Sequence, residues 1–140
     1  MTIAIDTNII AALWSSDHRF NAVAFKMLER LHPHNDLVVS GPVYAELMAG
    51  QLRTEQLLDR FLNDTGILVD WALDEGIWRE AGRAYRAYAH RRHSSDKSSP
   101  RRILADFLIG AHAFTRGYSL LTLDERLYSA SFPRLKIISN

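Results

Sequence analysis

The chain has no cysteine. That excludes disulfides and thiolate metal sites, and it fits the reducing cytosol, where a cytoplasmic protein is expected to work. Net charge is nearly absent as well. Seventeen Lys and Arg stand against sixteen Asp and Glu, a formal charge of +1. So balanced a chain is no polyanion binder over its whole surface, and any nucleic-acid contact needs a local basic patch. No apolar run reaches the length of a membrane span, so no membrane partner is expected. The apolar start, Ile3-Ala4-Ile5, lacks a basic leader, and Asp6 and Asn8 interrupt it, which argues against a signal peptide. There is no internal repeat and no low-complexity segment.

What is present is a core. The chain has 140 residues, 47% of them apolar, and reads as one domain spanning residues 1–140. A chain near this size buries roughly two-thirds of the surface its unfolded form exposes. Short β-branched runs alternate with helical periods. Ile3–Ile5 reads as a strand, and Ile9–Trp14 and Arg19–Leu31 as helices. His32-Pro33-His34-Asn35 is a break, and its two histidines read as solvated rather than as a metal pair. Leu37–Val39 is a second strand, after which Ser40 and Pro42 suit a helix start that runs to Gly50. A helix from about Thr54 to Gly66 precedes a third strand, Ile67–Val69. A long helix spans about Asp74 to Arg92, and His93–Pro100 reads as loop. A helix from about Arg102 to Arg116, a strand Ser119–Thr122, a short helix or turn Arg126–Ser129 and a strand Lys136–Ile138 complete the chain. This alternation predicts a three-layer α/β/α sandwich around a mostly parallel sheet of about five strands.

Four carboxylates stand out by placement. Asp6 and Asp124 each follow an apolar strand, where open α/β sheets keep their ligand sites. Glu46 lies in the helix after a strand. Asp106 lies in the apolar run Leu104-Ala105-Asp106-Phe107-Leu108-Ile109-Gly110-Ala111, with no cation inside the helix to neutralise it. Each has a plain reading: Asp6 as a helix cap, Glu46 as a solvated charge, Asp124 as a turn residue. Together they point further. Two unit charges about 4 Å apart repel by roughly 4 kcal/mol at an effective dielectric near 20, so four in one cleft call for a counter-charge. With no cysteine and no histidine in these segments, all-oxygen ligation points to Mg²⁺ or Mn²⁺. Such ions suit phosphoryl chemistry.

Ile3-Ala4-Ile5-Asp6-Thr7-Asn8, Val43-Tyr44-Ala45-Glu46-Leu47, Ala105-Asp106-Phe107-Leu108-Ile109-Gly110-Ala111-His112-Ala113 and Gly117-Tyr118-Ser119-Leu120-Leu121-Thr122-Leu123-Asp124 resemble the four motifs of PIN-domain ribonucleases. The resemblance is greatest to the VapC-type toxins of bacterial toxin–antitoxin pairs. Order, spacing and length fit over essentially the whole chain. The resemblance implies a metal-dependent endoribonuclease, a homodimer, and a cognate antitoxin whose extended tail covers the cleft. It assigns Asp6, Glu46, Asp106 and Asp124 to the acidic site, with Asn8 and Thr122 in support. Glu125 adjoins Asp124 and competes for the fourth acidic position. Tyr44, Leu47 and Met48 are apolar residues suited to partner contacts or to the core.

Arg91, Arg92, Lys97, Arg101 and Arg102 crowd the approach to Asp106, where a basic loop would hold an RNA backbone. His90 and His93 have helical spacing but no metal role is expected of them. His112, Trp14, Trp71 and Trp78 read as core or interface residues. A receiver domain would need an acidic pair after the first strand. A haloacid-dehalogenase-type phosphatase would need Asp-x-Asp there, and this chain has Asn8 instead. Two alternatives stay open: a catalytically degenerate PIN-like binding module, and a PIN-type nuclease outside toxin–antitoxin biology.

Overall fold

The computed structural model describes residues 1–50, 54–94 and 101–140. Five strands form one all-parallel sheet: β1 (Thr2–Ile5), β2 (Asp36–Ser40), β3 (Leu68–Asp70), β4 (Ser119–Leu121) and β5 (Ile137–Ile138). Their spatial order is β3-β2-β1-β4-β5. The chain winds outward from β1 through β2 to β3, then crosses back to lay β4 on the other side of β1. That reversal opens a crevice at the carboxyl ends of β1 and β4, the usual ligand position in an open parallel sheet. Register carries the pairing to this edge: Ile5 pairs with Leu121, and Ala4 with Val38.

Among the described residues seven helices cover the sheet: α1 (Thr7–Trp14), α2 (Asn21–Leu31), α3 (Gly41–Met48), α4 (Glu55–Thr65), α5 (Glu75–Ser94), α6 (Leu104–Arg116) and α7 (Glu125–Ser131). The α/β/α expectation holds. Ile3, Ala4 and Ile5 are buried on both faces of the central strand, which is why the first apolar run does not alternate. Each such isoleucine contributes roughly 1.5–3 kcal/mol of burial. The helices present the periodic faces read from the sequence. Ile77, Ala81 and Ala84 of α5 are buried, and Tyr85 stacks on Phe107 of α6 with centroids 4.6 Å apart.

Local signals set most helix ends. The Thr54 hydroxyl accepts the Leu57 N–H at 3.2 Å. Gly66 and Gly117 close α4 and α6 at φ of +72° and +74°, where a side chain would be strained. Four readings gain detail or change. His32–His34 is a 3₁₀ turn, with the His32 ring against the Thr65 carbonyl. Ser40 occupies the position before α3, yet its hydroxyl caps nothing and is buried without a partner among the described residues. His93 and Ser94 extend α5 rather than begin a loop, and residues 95–100 lie outside the described residues. Of core or interface, Trp71 and Trp78 are exposed and so outside the core, whereas Trp14 packs edge-on against Phe61.

Candidate active site

Asp6 is the first residue past β1 and is only 5% exposed. Its backbone N–H still joins the sheet, donating to the Leu121 carbonyl at 2.9 Å. One carboxylate oxygen, Oδ1, accepts the Thr7 N–H at 2.8 Å, so the capping reading is correct for that oxygen. The other, Oδ2, accepts the Thr122 hydroxyl at 2.7 Å. That hydroxyl in turn accepts from the Asp124 N–H at 3.0 Å and from Asn8 Nδ2 at 3.3 Å, and Asn8 Oδ1 accepts the Leu123 N–H at 3.2 Å. Asn8 and Thr122 thus clamp the ends of β1 and β4 together behind Asp6. Burial is the main force on this carboxyl. It pushes the pKa from 3.8 up to about 6, against the hydrogen bonds from Thr122 and Thr7 and the pull of the nearby Tyr128 hydroxyl, and the Asp106 charge adds to the rise.

The other three carboxylates are half-buried around it. Glu46 Oε1 accepts the Thr7 hydroxyl at 2.6 Å. Asp106 Oδ2 accepts the Ile103 N–H at 3.1 Å at the start of α6. Burial raises the Asp106 pKa; the Ile103 N–H and Arg102 oppose the rise, and the Asp124 charge reinforces it. Asp124 Oδ1 caps α7 through the Leu127 N–H at 3.2 Å, and its Oδ2 receives Arg102 Nη1 at 3.0 Å. Glu125, the competitor for this position, is exposed and accepts from the Ser139 hydroxyl at 2.9 Å. Mutual repulsion is therefore real between Asp6 and Asp106 and between Asp106 and Asp124, but it is secondary to burial.

Tyr128 of α7 completes the surroundings. It is 1% exposed, and its hydroxyl feels the Asp6, Asp106 and Glu46 charges; burial first and these charges next hold its pKa well above 10. The hydroxyl lies near enough to favour the ionised form of Asp6 but falls short of formed hydrogen-bond geometry, and it has no partner among the described residues. Oxygen donors alone, a buried carboxyl starved of counter-charge and an orphaned hydroxyl are what a hard divalent cation would satisfy. The side chains are not a ready cage. Among the described residues no three His, Asp or Glu groups converge closely enough to hold an ion. Glu46, Asp106 and Asp124 are each turned onto a donor of their own, and an ion would have to draw them off Thr7, Ile103 and Arg102.

A family model described as PIN domain matches residues 3–133. The chain belongs to the PIN domain family. Solved structures of similar fold include VapBC2 from Rickettsia felis bound to a DNA fragment from its promoter (TM-score 0.71, 21% identity, covering 99% of this chain and 98% of that one). VapBC-1 from nontypeable Haemophilus influenzae is similar too (0.69, 22%, 99% and 98%). So is Mycobacterium tuberculosis VapC20, described as a sarcin–ricin loop cleaving toxin (0.62, 18%, 96% and 98%). Comparison with curated protein sequences finds no match.

In this PIN domain the predicted basic residues part company. Arg91 and Arg92 sit on the last turns of α5, within the helix read to about Arg92, so the basic residues do not share one loop. Arg102 is committed to Asp124, a role that the sequence reading missed. Lys97 lies outside the described residues. A hollow of about 360 Å³ is lined by Tyr85, Tyr88, Arg92, His93, Arg101 and Arg102, beside the acidic group. The Tyr88 hydroxyl accepts the Arg102 N–H at 2.8 Å and helps set the path of the chain into α6. His112 is a core residue as expected; its Nε2 lies 2.9 Å from Asp70 Oδ2. Leu47 is buried, so the core takes it, while Met48 is left exposed. Thr7 and Tyr128 had no place in the sequence reading. For Tyr128 a signal existed: four residues past Asp124, one helical turn brings it to the same side.

Proposed function

We propose that this chain is a Mg²⁺- or Mn²⁺-dependent endoribonuclease and the toxin of a toxin–antitoxin pair. The observation that carries the reading is the carboxylate group at the crevice of a PIN fold, built around a buried Asp6 whose pKa is raised chiefly by that burial. Asp6 and Asp106 are the principal metal ligands, with Glu46 and Asp124 completing the acidic set. A bound divalent cation would polarise the scissile phosphodiester and ease deprotonation of an attacking water. The chain's own residues do the rest. Asn8 and Thr122 hold Asp6 in one orientation. Arg102 balances Asp124, and with Arg91, Arg92, Lys97 and Arg101 it offers cations to an RNA backbone. The VapBC complexes of similar fold support a cognate antitoxin as partner, and the family resemblance supports a homodimer. The cytoplasm is the setting in which such a pair would act.

The test is cleavage of RNA, with DNA as control, by wild type, Asp6→Ala and Asp106→Ala in Mn²⁺ and in EDTA. Cleavage of RNA by wild type in Mn²⁺ alone, lost in both folded variants, is the expected result. Full activity in excess EDTA would sink it. One observation favours a second reading, a PIN-like module that binds without cutting: among the described residues no three acidic groups converge as the side chains stand. RNA binding without cleavage in Mn²⁺ would establish that module.

A further inference from the structure

Tyr128 and Asp124 lie one helical turn apart at the start of α7, so both reach the crevice side. The ring belongs to the hydrophobic core, and the residue is almost wholly buried. Its hydroxyl is orphaned among the described residues. A buried hydroxyl without a partner is costly, and phenylalanine would fill the same space without that cost. The hydroxyl faces the carboxylates of Asp6, Asp106 and Glu46. Asp6 has room for it. Each carboxylate oxygen accepts two hydrogen bonds, and Oδ1 and Oδ2 carry one each, from the Thr7 N–H and the Thr122 hydroxyl.

We propose that Tyr128 is a positioning residue, whose hydroxyl donates to the Asp6 carboxylate once a divalent cation is bound and so fixes which carboxylate oxygen faces the ion. The inference rests on the metal-dependent reading above. Hydrogen bonds behind a metal ligand orient it, and their loss weakens metal binding by roughly 10–100-fold. Thr122 and Thr7 hold Asp6 from the sheet and from α1; Tyr128 is the donor from α7, the helix that Asp124 starts. One proton is shared and no bond is broken. Arranged this way, the crevice holds Asp6 from three elements.

Calorimetric titration of Mn²⁺ into wild type and Tyr128→Phe, with thermal melts of both in EDTA, decides the matter. The expected result is Mn²⁺ binding about tenfold weaker in the variant. Its far-UV circular dichroism should be unchanged, and its melting temperature in EDTA within a few degrees of wild type, because losing an orphaned hydroxyl and losing its ease on the Asp6 charge oppose each other. Equal Mn²⁺ affinity overturns the proposal and leaves the metal-dependent reading standing. A variant melting well below wild type in EDTA also overturns it, because the hydroxyl then serves the scaffold. A wild type that takes up no Mn²⁺ overturns the metal-dependent reading, and this inference falls with it.

Discussion

Asp6→Asn should make the metal-free protein more stable at neutral pH and less stable in acid. The buried Asp6 carboxyl titrates at about 6 rather than 3.8. A raised folded-state pKa means the folded protein holds that proton more tightly than the unfolded chain. The stability this gives is complete below the unfolded value and is lost as pH rises through the folded one. The gap corresponds to about 3 kcal/mol, and at 5% exposure solvent screening takes little from it. Asparagine removes the charge at nearly constant shape, so it escapes that loss. It brings a mismatch of its own. Its Oδ1 can keep the Thr7 N–H, but its amide nitrogen then faces a Thr122 hydroxyl oxygen that already accepts from Asn8 and the Asp124 N–H. That conflict costs about 1–2 kcal/mol. The variant should therefore gain about 1–2 kcal/mol at pH 7, or roughly 3–6 °C in a chain of this size. Near pH 4 it should melt at or below wild type. Thermal melts in EDTA from pH 4 to pH 8 test this, because the titrating groups away from Asp6 are common to both proteins and cancel in the difference, leaving Asp6 with the neighbours it acts on, Asp106 and Tyr128. A difference flat across that range would refute the reasoning, since the Asp6 charge would then be at ease in the fold. Mn²⁺ should raise the melting temperature of wild type well above that of the variant.

Three further outcomes follow from the packing. Gly110→Ala would place a Cβ 2.3 Å from the Phe132 ring, so the melting temperature should fall by the equivalent of about 1–3 kcal/mol. His112→Leu leaves Asp70, which also holds Arg116 Nε at 3.2 Å, facing an apolar side chain; denaturant titration should show a loss of about 1–2 kcal/mol, and no loss would show the pair is idle. Neutralising Arg91, Arg92 and Arg101 together, leaving Arg102 on Asp124, should weaken RNA binding and flatten its dependence on salt by up to about three counterions; an unchanged slope would take the RNA backbone away from this surface.

The sequence by itself determined the order of strands and helices, several helix ends and the four carboxylates. Those signals are local. An apolar run such as Ile3-Ala4-Ile5, a cap such as Thr54 and a left-handed glycine such as Gly117 act within a few residues, through backbone sterics and short hydrogen bonds. The motif resemblance added which carboxylates the proposed site groups together. What each carboxylate touches was decided elsewhere. Thr7 reaches Glu46 across 39 positions, and Thr122 reaches Asp6 across 116. Such pairs exist only once β1 is set between β2 and β4, and that order minimises the exposed apolar surface of the whole chain rather than of any segment. The same packing left Ser40 and Tyr128 with buried hydroxyls and no partners among the described residues, turned Arg102 onto Asp124, and made burial rather than repulsion the main force on Asp6. Burial depends on what lies above a residue in space, and no window of sequence contains that.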